Sequence, residues 1–336
     1  METIINNQII KPKVWQVLGK TITKCKTSAE AIQEAGLDFE VIKRPNIHPL
    51  PSGTNVISDN SYFTFRTDNE AVLGDKVGRD YEVVQNVDAF AFFDNIVQNY
   101  GGLHYESAGS LGYGELTYIT AKLPEHIRVG RNDLIDQYLF LTSTHDGTGS
   151  ITIAFTPVRI YCANTLNAAL NNCSNTIKIR HTASATEKLK EAHKLLNLTN
   201  QLSTELEAIF NRWARVRITD PELKRLIQLA MVPNKETYEL LKTGKEDELS
   251  GRFTNTVSNI FEYALCSPTQ QEATTKNTLY GFYNSITGFY QNVRSYKDDE
   301  VKFKTIMGGT GLQRNQTAFD LCHDFAKYGG DILKLN

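Results

Sequence analysis

The sequence contains a glycine-rich segment whose backbone could bind a phosphate group. Residues 107–114 hold three glycines and two serines, between two segments that we predict to be strands. Glycines let backbone amides approach a phosphate closely. No Gly-Lys-Ser or Gly-Lys-Thr follows and no helix is predicted next, so the segment is neither a P-loop nor a dinucleotide fingerprint. We predict a structural hairpin loop, with ligand or partner contact as the alternative. The contact candidates are Ser107, Gly109, Ser110, Gly112 and Gly114.

A polar segment at residues 143–150 contains groups that could transfer a proton. A carboxylate beside an imidazole orients it and raises its basicity, so His145 and Asp146 are candidate acid–base residues, with Glu106 as a third. Adjacent residues of a strand point to opposite faces, however, which argues against one shared site. Asp146-Gly147 is also a common hairpin signal. We therefore favour a structural turn, and we recognise no ligand set for a metal or another cofactor.

Arg159 is an informative charged residue, because it lies in an otherwise apolar predicted strand at 151–161. A buried arginine must be paired with an acid or must face a polar ligand. Cys162 could act as a nucleophile near a helix N-terminus, although a buried structural thiol is the favoured interpretation. Asn164 is expected to cap the following helix, and Asn164 and Thr165 are further contact candidates.

Basic residues concentrate between positions 178 and 217, where they could form a strip that binds phosphates together with Arg159. The set is Lys178, Arg180, Lys188, Lys190, Lys194, Arg212, Arg215 and Arg217. Interleaved glutamates make a solvated helix face the favoured alternative. Tyr105 or Tyr113 could stack on the bases of a bound strand. The aromatic cluster at 280–290 has helical spacing and is predicted to pack in the core.

Composition limits the class of protein. Thirty-six Lys and Arg oppose 38 Asp and Glu in 336 residues, so the net charge of −2 gives the whole molecule no positive field for nucleic acid. No stretch approaches the roughly 20 apolar residues of a membrane span, and the N-terminus lacks the apolar core of a secretory signal. The five cysteines form no CxxC pair, which argues against a disulfide framework and a cysteine zinc site. We expect a cytoplasmic protein without membrane contact.

The candidate residues lie on a predicted antiparallel β-meander. The patterns predict strands at 62–66, 81–84, 115–121, 137–142 and 151–161. One helix is expected from Ser28 to Gly36, and another from Asp88 to the glycines at 101 and 102. A helical period at 164–170 completes a β-β-β-α core, so the predicted fold class is α+β.

The C-terminal region is predicted to be mostly helical. One long amphipathic helix spans 189–213, and Thr219-Asp220-Pro221-Glu222 signals the start of the next. Further helices are expected through 257–265 and 279–289. A connector, in which Pro45, Pro49, Pro51 and Gly53 break regular structure, marks a boundary. The predicted division is a lead-in at 1–54, an α+β core at 55–181 and a helical region at 182–336.

The sequence closely resembles a phage- and plasmid-like family known as domain of unknown function 932. The resemblance is carried in order by residues 105–111, His145-Asp146-Gly147, Val158-Arg159, 162–166 and 277–284, with Trp15, Gly19, Gly311 and Ala318-Phe319 near the ends. Ile160 and Tyr161 depart from the family's expected residues with little effect on the chemistry. The resemblance implies a component of a bacteriophage, a plasmid or an integrated relative in a bacterial host cell. It implies no established activity and no catalytic residue.

Three functions follow as hypotheses. The preferred one is a non-enzymatic, self-assembling protein that binds single-stranded DNA in replication or recombination of a mobile element. The β-β-β-α order is similar to the core of single-strand annealing recombinases, which assemble as rings, so a homo-oligomer is expected. The second is a metal-dependent nucleotide or phosphate hydrolase, with Glu106, His145, Asp146 and Arg159 in one cleft. The third is a host-interaction or anti-defence protein that uses the helix near Leu206 and Trp213.

Overall fold

The computed structural model describes residues 3–5, 8–10, 12–99, 103–159, 164–165, 176–191 and 195–334. Within them the protein has the predicted α+β fold class, with antiparallel sheets followed by a mostly helical C-terminal region. No helix in this part of the chain has the length and apolar character needed to cross a membrane.

Antiparallel strands form three sheets in the described part of the chain. The strands are β1 (Thr3–Ile5), β2 (Gln8–Ile10), β3 (Lys20–Thr21), β4 (Val41–Pro49), β5 (Asn55–Arg66), β6 (Val72–Val77), β7 (His104–Leu111), β8 (Leu116–Val129), β9 (Asp133–Thr144), β10 (Ile151–Arg159), β11 (Asn164–Thr165) and β12 (Thr176–Ile179). The central sheet has the order β11-β10-β9-β8-β7-β3, and β12 also pairs with β10. β4, β5 and β6 form a second sheet, and β1 and β2 a third. The consecutive order of β7 to β10 confirms the predicted meander.

Most of the helices follow the sheets. They are α1 (Val14–Leu18), α2 (Ser28–Ala35), α3 (Asn86–Asn99), α4 (Ala185–Glu191), α5 (Leu195–Trp213), α6 (Asp220–Met231), α7 (Lys235–Lys242), α8 (Gly251–Cys266), α9 (Leu279–Gly288), α10 (Asp299–Met307) and α11 (Thr310–Tyr328). A π-helical turn at Phe289–Val293 extends α9.

The two faces of the central sheet join different clusters, because side chains alternate along each strand. On one face, Ile119 and Leu139 belong to the main core, which also includes residues of the C-terminal helices. On the other face, Tyr118 and Phe140 stack with ring centroids 5.6 Å apart. Both rings also contact Phe303 of α10. A polar residue on this sheet therefore belongs to one of two separate environments.

Local signals place several helices where the sequence predicts them. Thr219 and Glu222 form a capping box at the start of α6, in which each side chain accepts from the other residue's backbone amide. α2 ends at Gly36, whose φ of 69° lies in the left-handed region that favours glycine. The helices predicted through 257–265 and 279–289 correspond to α8 and to α9 with its π-helical extension.

Other predicted elements are wrong or only partly tested. Residues 81–84 form no strand, and α3 begins at Asn86 rather than Asp88. Asn164 and Thr165 form β11 instead of starting a helix. The helix predicted over 189–213 corresponds to α4 and α5. Three of these predictions also depend on residues outside the described part of the chain, namely 101–102, 166–170 and 192–194.

The predicted boundary at residue 54 falls in the turn of a hairpin. β4 and β5 pair from Val41 opposite Arg66 to Pro49 opposite Asn55, so hydrogen-bonded strands lie on both sides of the turn. Pro45 lies within β4 and Pro49 is its last residue, and both are tolerated because this edge strand needs no amide donor on its outer side. The boundary at 181 stays a prediction.

Candidate phosphate-binding pocket

A pocket of about 620 Å³ opens where the central sheet meets the helical region. Its walls come from the turn between β8 and β9, the C-terminal end of α5, and the segment before α9. The charged and amide side chains that line it are those of Arg131, Asn132, Asp133, Arg159, Asn211, Arg215 and Glu272. A ligand in this pocket would contact three distant parts of the chain at once.

The floor of the pocket is an ion pair between Arg159, which is fully buried, and Asp133, which is 5% exposed. The Arg159 Nε donates to the two Asp133 oxygens at 2.8 and 3.0 Å, and Nη2 lies 2.7 Å from Oδ2. Nη1 donates to the Thr269 carbonyl at 3.0 Å. Thr274 Oγ1 donates to Asp133 at 2.9 Å. Bidentate, charge-assisted pairing of this kind fixes the orientation of both side chains.

Strand register explains why these two residues meet. Arg159 of β10 pairs opposite Ile135 of β9. Asp133 lies two residues before Ile135 and therefore on the same face of β9. The ring of Tyr280, in α9, lies 5.9 Å from the Arg159 guanidinium. Arg159 thus has an acidic partner, which is one of the two environments that the sequence predicts for a buried arginine.

Side chains of α5 hold the β8–β9 turn in place. Asn211 accepts from the Gly130 amide at 2.9 Å and donates to the Arg128 carbonyl at 2.7 Å. Glu207 accepts from the Arg128 amide at 2.9 Å. Gly130 has a φ of 62°, a left-handed conformation that glycine adopts without strain. These contacts fix the backbone from which Arg131 extends.

The rim of the pocket carries two exposed arginines, Arg131 and Arg215. Neither guanidinium forms an ion pair with any acid in the described part of the chain. Glu272 is also exposed on the rim, whereas the charge of Asp133 is already matched by Arg159. The lining therefore carries one more positive than negative side chain, and its free positive groups face solvent.

The glycine-rich segment is mostly strand, so the predicted loop is wrong for residues 107–111. These residues belong to β7, and Ser107 and Gly109 are buried. A Cβ on Gly109 would lie 2.8 Å from the Cα of Gly19, so glycine permits close backbone packing here. The turn itself binds carboxylates of the same chain: the Gly112 amide donates to Glu300 at 3.0 Å and the Tyr113 amide to Glu115 at 2.6 Å. These amides already have anionic acceptors.

His145 lies in a closed part of the fold. It is fully buried, its Nε2 lies 2.9 Å from Asn86 Oδ1, and its carbonyl accepts from Thr64 Oγ1 at 2.6 Å. Burial lowers the pKa of His145 to about 3, so the imidazole is neutral at pH 7. Asp146 accepts from the backbone amide and hydroxyl of Thr148, which closes a local turn. These contacts are those of the structural turn that the sequence favours.

Glu106 belongs to a different polar cluster. It accepts from Lys13 Nζ at 2.9 Å and from Trp15 Nε1 at 3.0 Å. Tyr138 donates to Glu106 at 3.1 Å and lies 3.2 Å from Asp136. Burial, followed by the charges of the two acids, raises the pKa of Tyr138 far above its ordinary value, so its phenol stays protonated. The cluster joins the segment around α1 to the central sheet.

The four residues of the hydrolase hypothesis do not share a cleft. Glu106 is three strands from Arg159 in the sheet, or about 14 Å at the usual strand spacing, and the two residues lie on opposite faces. His145 and Asp146 follow the far end of β9. In the described residues, no group of three or more His, Cys, Asp and Glu side chains has the geometry to hold a metal ion.

Apart from the buried Arg159, the basic residues of the predicted strip whose side chains the structure describes are exposed but spread out. Lys178 pairs opposite Thr152, which precedes Arg159 on β10 by seven residues, or about 23 Å. Arg180 and Lys188 lie near that same end of the sheet. Arg217 donates to the Lys276 carbonyl at 2.8 Å. Within the predicted set, Arg159 and Arg215 are the two residues that line the pocket.

The two predicted stacking residues have different environments. Tyr105 is 1% exposed and donates to Asp94 at 2.7 Å, so it is unable to stack on a base. Tyr113 is 70% exposed in the β7–β8 turn. The aromatic residues of α9 are buried in the core, as predicted. The side chains of Asn164, Thr165 and Lys190, and the whole of Cys162, Cys173 and Lys194, lie outside the described residues.

Sequence reasoning missed the residues that complete the pocket. Arg131, Asn132 and Asp133 follow Gly130 in a turn-like segment that contains no recognisable functional motif. A hairpin prediction joining 115–121 to 137–142 would have placed this segment at one end of the sheet. Pairing the strand of Arg159 with its neighbour would then have brought Asp133 beside Arg159.

A family model described as domain of unknown function (DUF932) matches residues 75–307. The matched range includes every residue that lines the pocket. Neither a curated protein nor a solved structure matches the chain.

Proposed function

Since the chain belongs to the family described as domain of unknown function (DUF932), a description that assigns no activity, we propose its function from the pocket. In this proposal the protein is a non-enzymatic nucleic-acid-binding factor. Arg131 and Arg215 hold phosphate groups of single-stranded DNA at the rim, and the buried Arg159–Asp133 pair fixes the floor beneath them.

The two rim guanidinium groups carry this proposal. Arginine presents a planar fork of donors that matches phosphate geometry, and it is more weakly hydrated than lysine. Arg131 and Arg215 come from separate elements that converge on one opening. Because phosphates are the same in every nucleotide, the proposed binding is independent of sequence. Because binding releases counterions from the DNA, salt should weaken it.

The acid–base groups support a binding role rather than catalysis. His145 is buried as a neutral imidazole, and Glu106 accepts hydrogen bonds from three side chains. At the pocket, Asp133 is paired with Arg159. We propose that this binding serves the replication or recombination of a mobile element, because the resemblance to phage- and plasmid-like proteins implies a component of such an element.

Self-assembly is the second part of the proposal, and its support is an exposed apolar hairpin. We call residues 45–58 the arm. Ile47, Leu50, Val56 and Ile57 of the arm are each between 45% and 61% exposed. β6 pairs with β5 only at Tyr62 and beyond, so within the described residues the arm has no third strand. A two-stranded hairpin with exposed aliphatic residues is marginal alone in water.

A second copy of this chain is the proposed partner of the arm. The arm contains no Lys, Arg, Asp or Glu. An uncharged surface selects no oppositely charged partner, and two identical copies of it do not repel each other. Light scattering should therefore give a mass above that of one chain. The double variant Ile47→Ser/Ile57→Ser should lower that mass, whereas Val293→Ser, outside the arm, should not. A wild-type monomer at all concentrations would refute self-assembly.

Fluorescence anisotropy of a labelled single strand tests DNA binding. We expect the wild type to bind at low salt and Arg131→Ala/Arg215→Ala to bind at least tenfold more weakly, a loss of about 1.4 kcal/mol. Lys235→Ala/Lys242→Ala removes the same charge from α7, away from the pocket, and should bind almost as the wild type does. No wild-type binding at low salt would refute the function, and equal loss in both variants would refute the site.

A further inference from the structure

The pocket is closed at its base. Arg159 has no exposed surface and Asp133 is 5% exposed, so the floor between them admits no strand. A protein that binds the middle of a single strand needs a groove that the strand can enter and leave. The end of a chain can enter this pocket through its mouth, whereas the interior of a strand would have to enter and leave by the same opening.

The lining also lacks a stacking platform. None of its residues is aromatic, and Tyr280, which lies near the floor, is itself fully buried. Proteins that track single strands without sequence preference combine a basic groove with aromatic rings on which bases stack. The donors that remain available in this pocket are suited to phosphate oxygens.

The charge at the rim suits a phosphate that ends a chain. A phosphodiester carries one negative charge, whereas a phosphomonoester with a second pKa near 6 carries between about 1.5 and 2 at pH 7. At the opening, Arg131 and Arg215 supply two positive charges that form no ion pair among the described residues, against one negative charge on the exposed Glu272. A volume of about 620 Å³ lies within the range of pockets that bind small ligands, and a terminal nucleotide fits that range.

We infer that the pocket receives the terminal phosphomonoester of a nucleic-acid strand, held between the guanidinium groups of Arg131 and Arg215. This inference rests on the proposed function and adds to it the part of the strand that is recognised. The protein then binds strand ends in preference to strand interiors. Its ligand chemistry is shared by 5′-phosphate and 3′-phosphate ends.

The test compares one single-stranded sequence in four forms: with a 5′-phosphate, with a 3′-phosphate, with hydroxyls at both ends, and closed into a circle. Anisotropy should show at least tenfold tighter binding of one phosphate-ended form than of the hydroxyl-ended and circular forms. The tighter form identifies the end that is recognised. Arg131→Ala/Arg215→Ala should abolish this preference, and Lys235→Ala/Lys242→Ala should retain it.

The outcomes distinguish a failure of end recognition from a failure of the proposed binding of single-stranded DNA. Equal binding of all four forms, still weakened by Arg131→Ala/Arg215→Ala, would overturn end recognition and leave the proposed function standing. A preference for phosphate that survives in the double variant would also overturn the inference, because another site would then hold the phosphate. Failure of the wild type to bind any form at low salt would overturn both.

Discussion

The two ends of strand β9 carry buried polar residues in contrasting settings. At one end, Asp133 pairs with Arg159 beneath an open pocket, and the arginines at its rim form no ion pair with any acid that the structure describes. At the other end, His145 is enclosed by Asn86 and Thr64. In the sequence the His145 end looks chemically active, whereas at the other end only Arg159 stands out. The difference is that the first end leaves donors facing solvent, whereas the second uses its polar groups within the protein.

This contrast teaches that residue type is a weaker guide to function than unmatched charge at an opening. A histidine beside an aspartate suggests proton transfer, yet the buried, neutral His145 has no access to a substrate. Exposed arginines beside a glycine turn suggest little by themselves. They become a candidate site because Asn211 and Glu207 fix the turn above the buried Arg159–Asp133 pair.

The largest loss of stability is expected from Arg159→Ala, which removes the buried ion pair at the pocket end of β9. This change leaves Asp133 buried without its cation, and breaking a buried pair from one side costs about 3–5 kcal/mol. Urea unfolding monitored by circular dichroism should show that loss. The double variant Arg159→Ala/Asp133→Ala should cost less than the sum of the two single changes. A loss below about 1 kcal/mol in Arg159→Ala would contradict the role of the pair.

Acid should destabilise the protein through the buried His145 at the other end of β9. Burial holds the pKa of His145 at about 3 in the folded protein, against an ordinary value of 6.5 in the unfolded chain. Between these values the unfolded chain binds a proton that the folded protein does not. The free energy of unfolding therefore falls as pH drops from 6.5 towards 3, by up to about 1.4 kcal/mol per pH unit from this residue. The pKa of His181 is also lowered, mainly by burial, and acts in the same direction.

Replacing His145 isolates its share of that pH dependence. His145→Gln keeps a side-chain amide that can contact Asn86 but removes the titration. Thermal unfolding of the two proteins between pH 7 and pH 4 should show a shallower loss for the variant. Identical pH dependence would mean that His145 is not held neutral by the fold.

Asn86→Ala should have a smaller effect at the same end. Asn86 accepts from Thr117 Oγ1 at 2.9 Å and donates to the Leu37 carbonyl at 3.0 Å, in addition to its contact with His145. Leaving buried polar groups unsatisfied costs about 1–3 kcal/mol. Denaturant unfolding should show this loss, while affinity for single-stranded DNA stays unchanged. Weaker DNA binding by a folded Asn86→Ala variant would show that the His145 end of β9 also contributes to binding, which contradicts the expected independence of the two ends.

The smallest change in stability is expected at the rim. Arg131→Ala/Arg215→Ala removes exposed side chains that form no ion pair among the described residues. Surface substitutions of this kind usually change stability by less than about 0.5 kcal/mol. Thermal unfolding should therefore match that of the wild type even where DNA binding is lost. A loss of several kcal/mol would assign the two arginines to the fold.

Much of the fold could be predicted from local patterns. The alternation of Ile151, Ile153 and Phe155 marks β10, and the Thr219–Glu222 capping box marks the start of α6. Local patterns predict a loop at the glycine-rich segment, because the contact that requires glycine there comes from a distant part of the chain. Gly109 is glycine because Gly19, 90 residues earlier in the chain, packs against it.

The site could be predicted only in part, for a similar reason. Arg159 stands out in the sequence because an arginine in an apolar strand needs a partner. Its partner Asp133 is 26 residues away and is brought close by the register between β9 and β10. Arg131 and Arg215 meet at one opening only because α5 packs over the β8–β9 turn. No local pattern specifies that packing.

The salt dependence of binding tests directly whether Arg131 and Arg215 hold phosphates. The affinity of wild type and Arg131→Ala/Arg215→Ala for one labelled single strand would be measured across a salt series. Each phosphate contact contributes about 0.7 to the slope of log affinity against log salt for single strands, so losing two should reduce it by about 1.4. An unchanged slope would show that the phosphates bind elsewhere and would contradict the account.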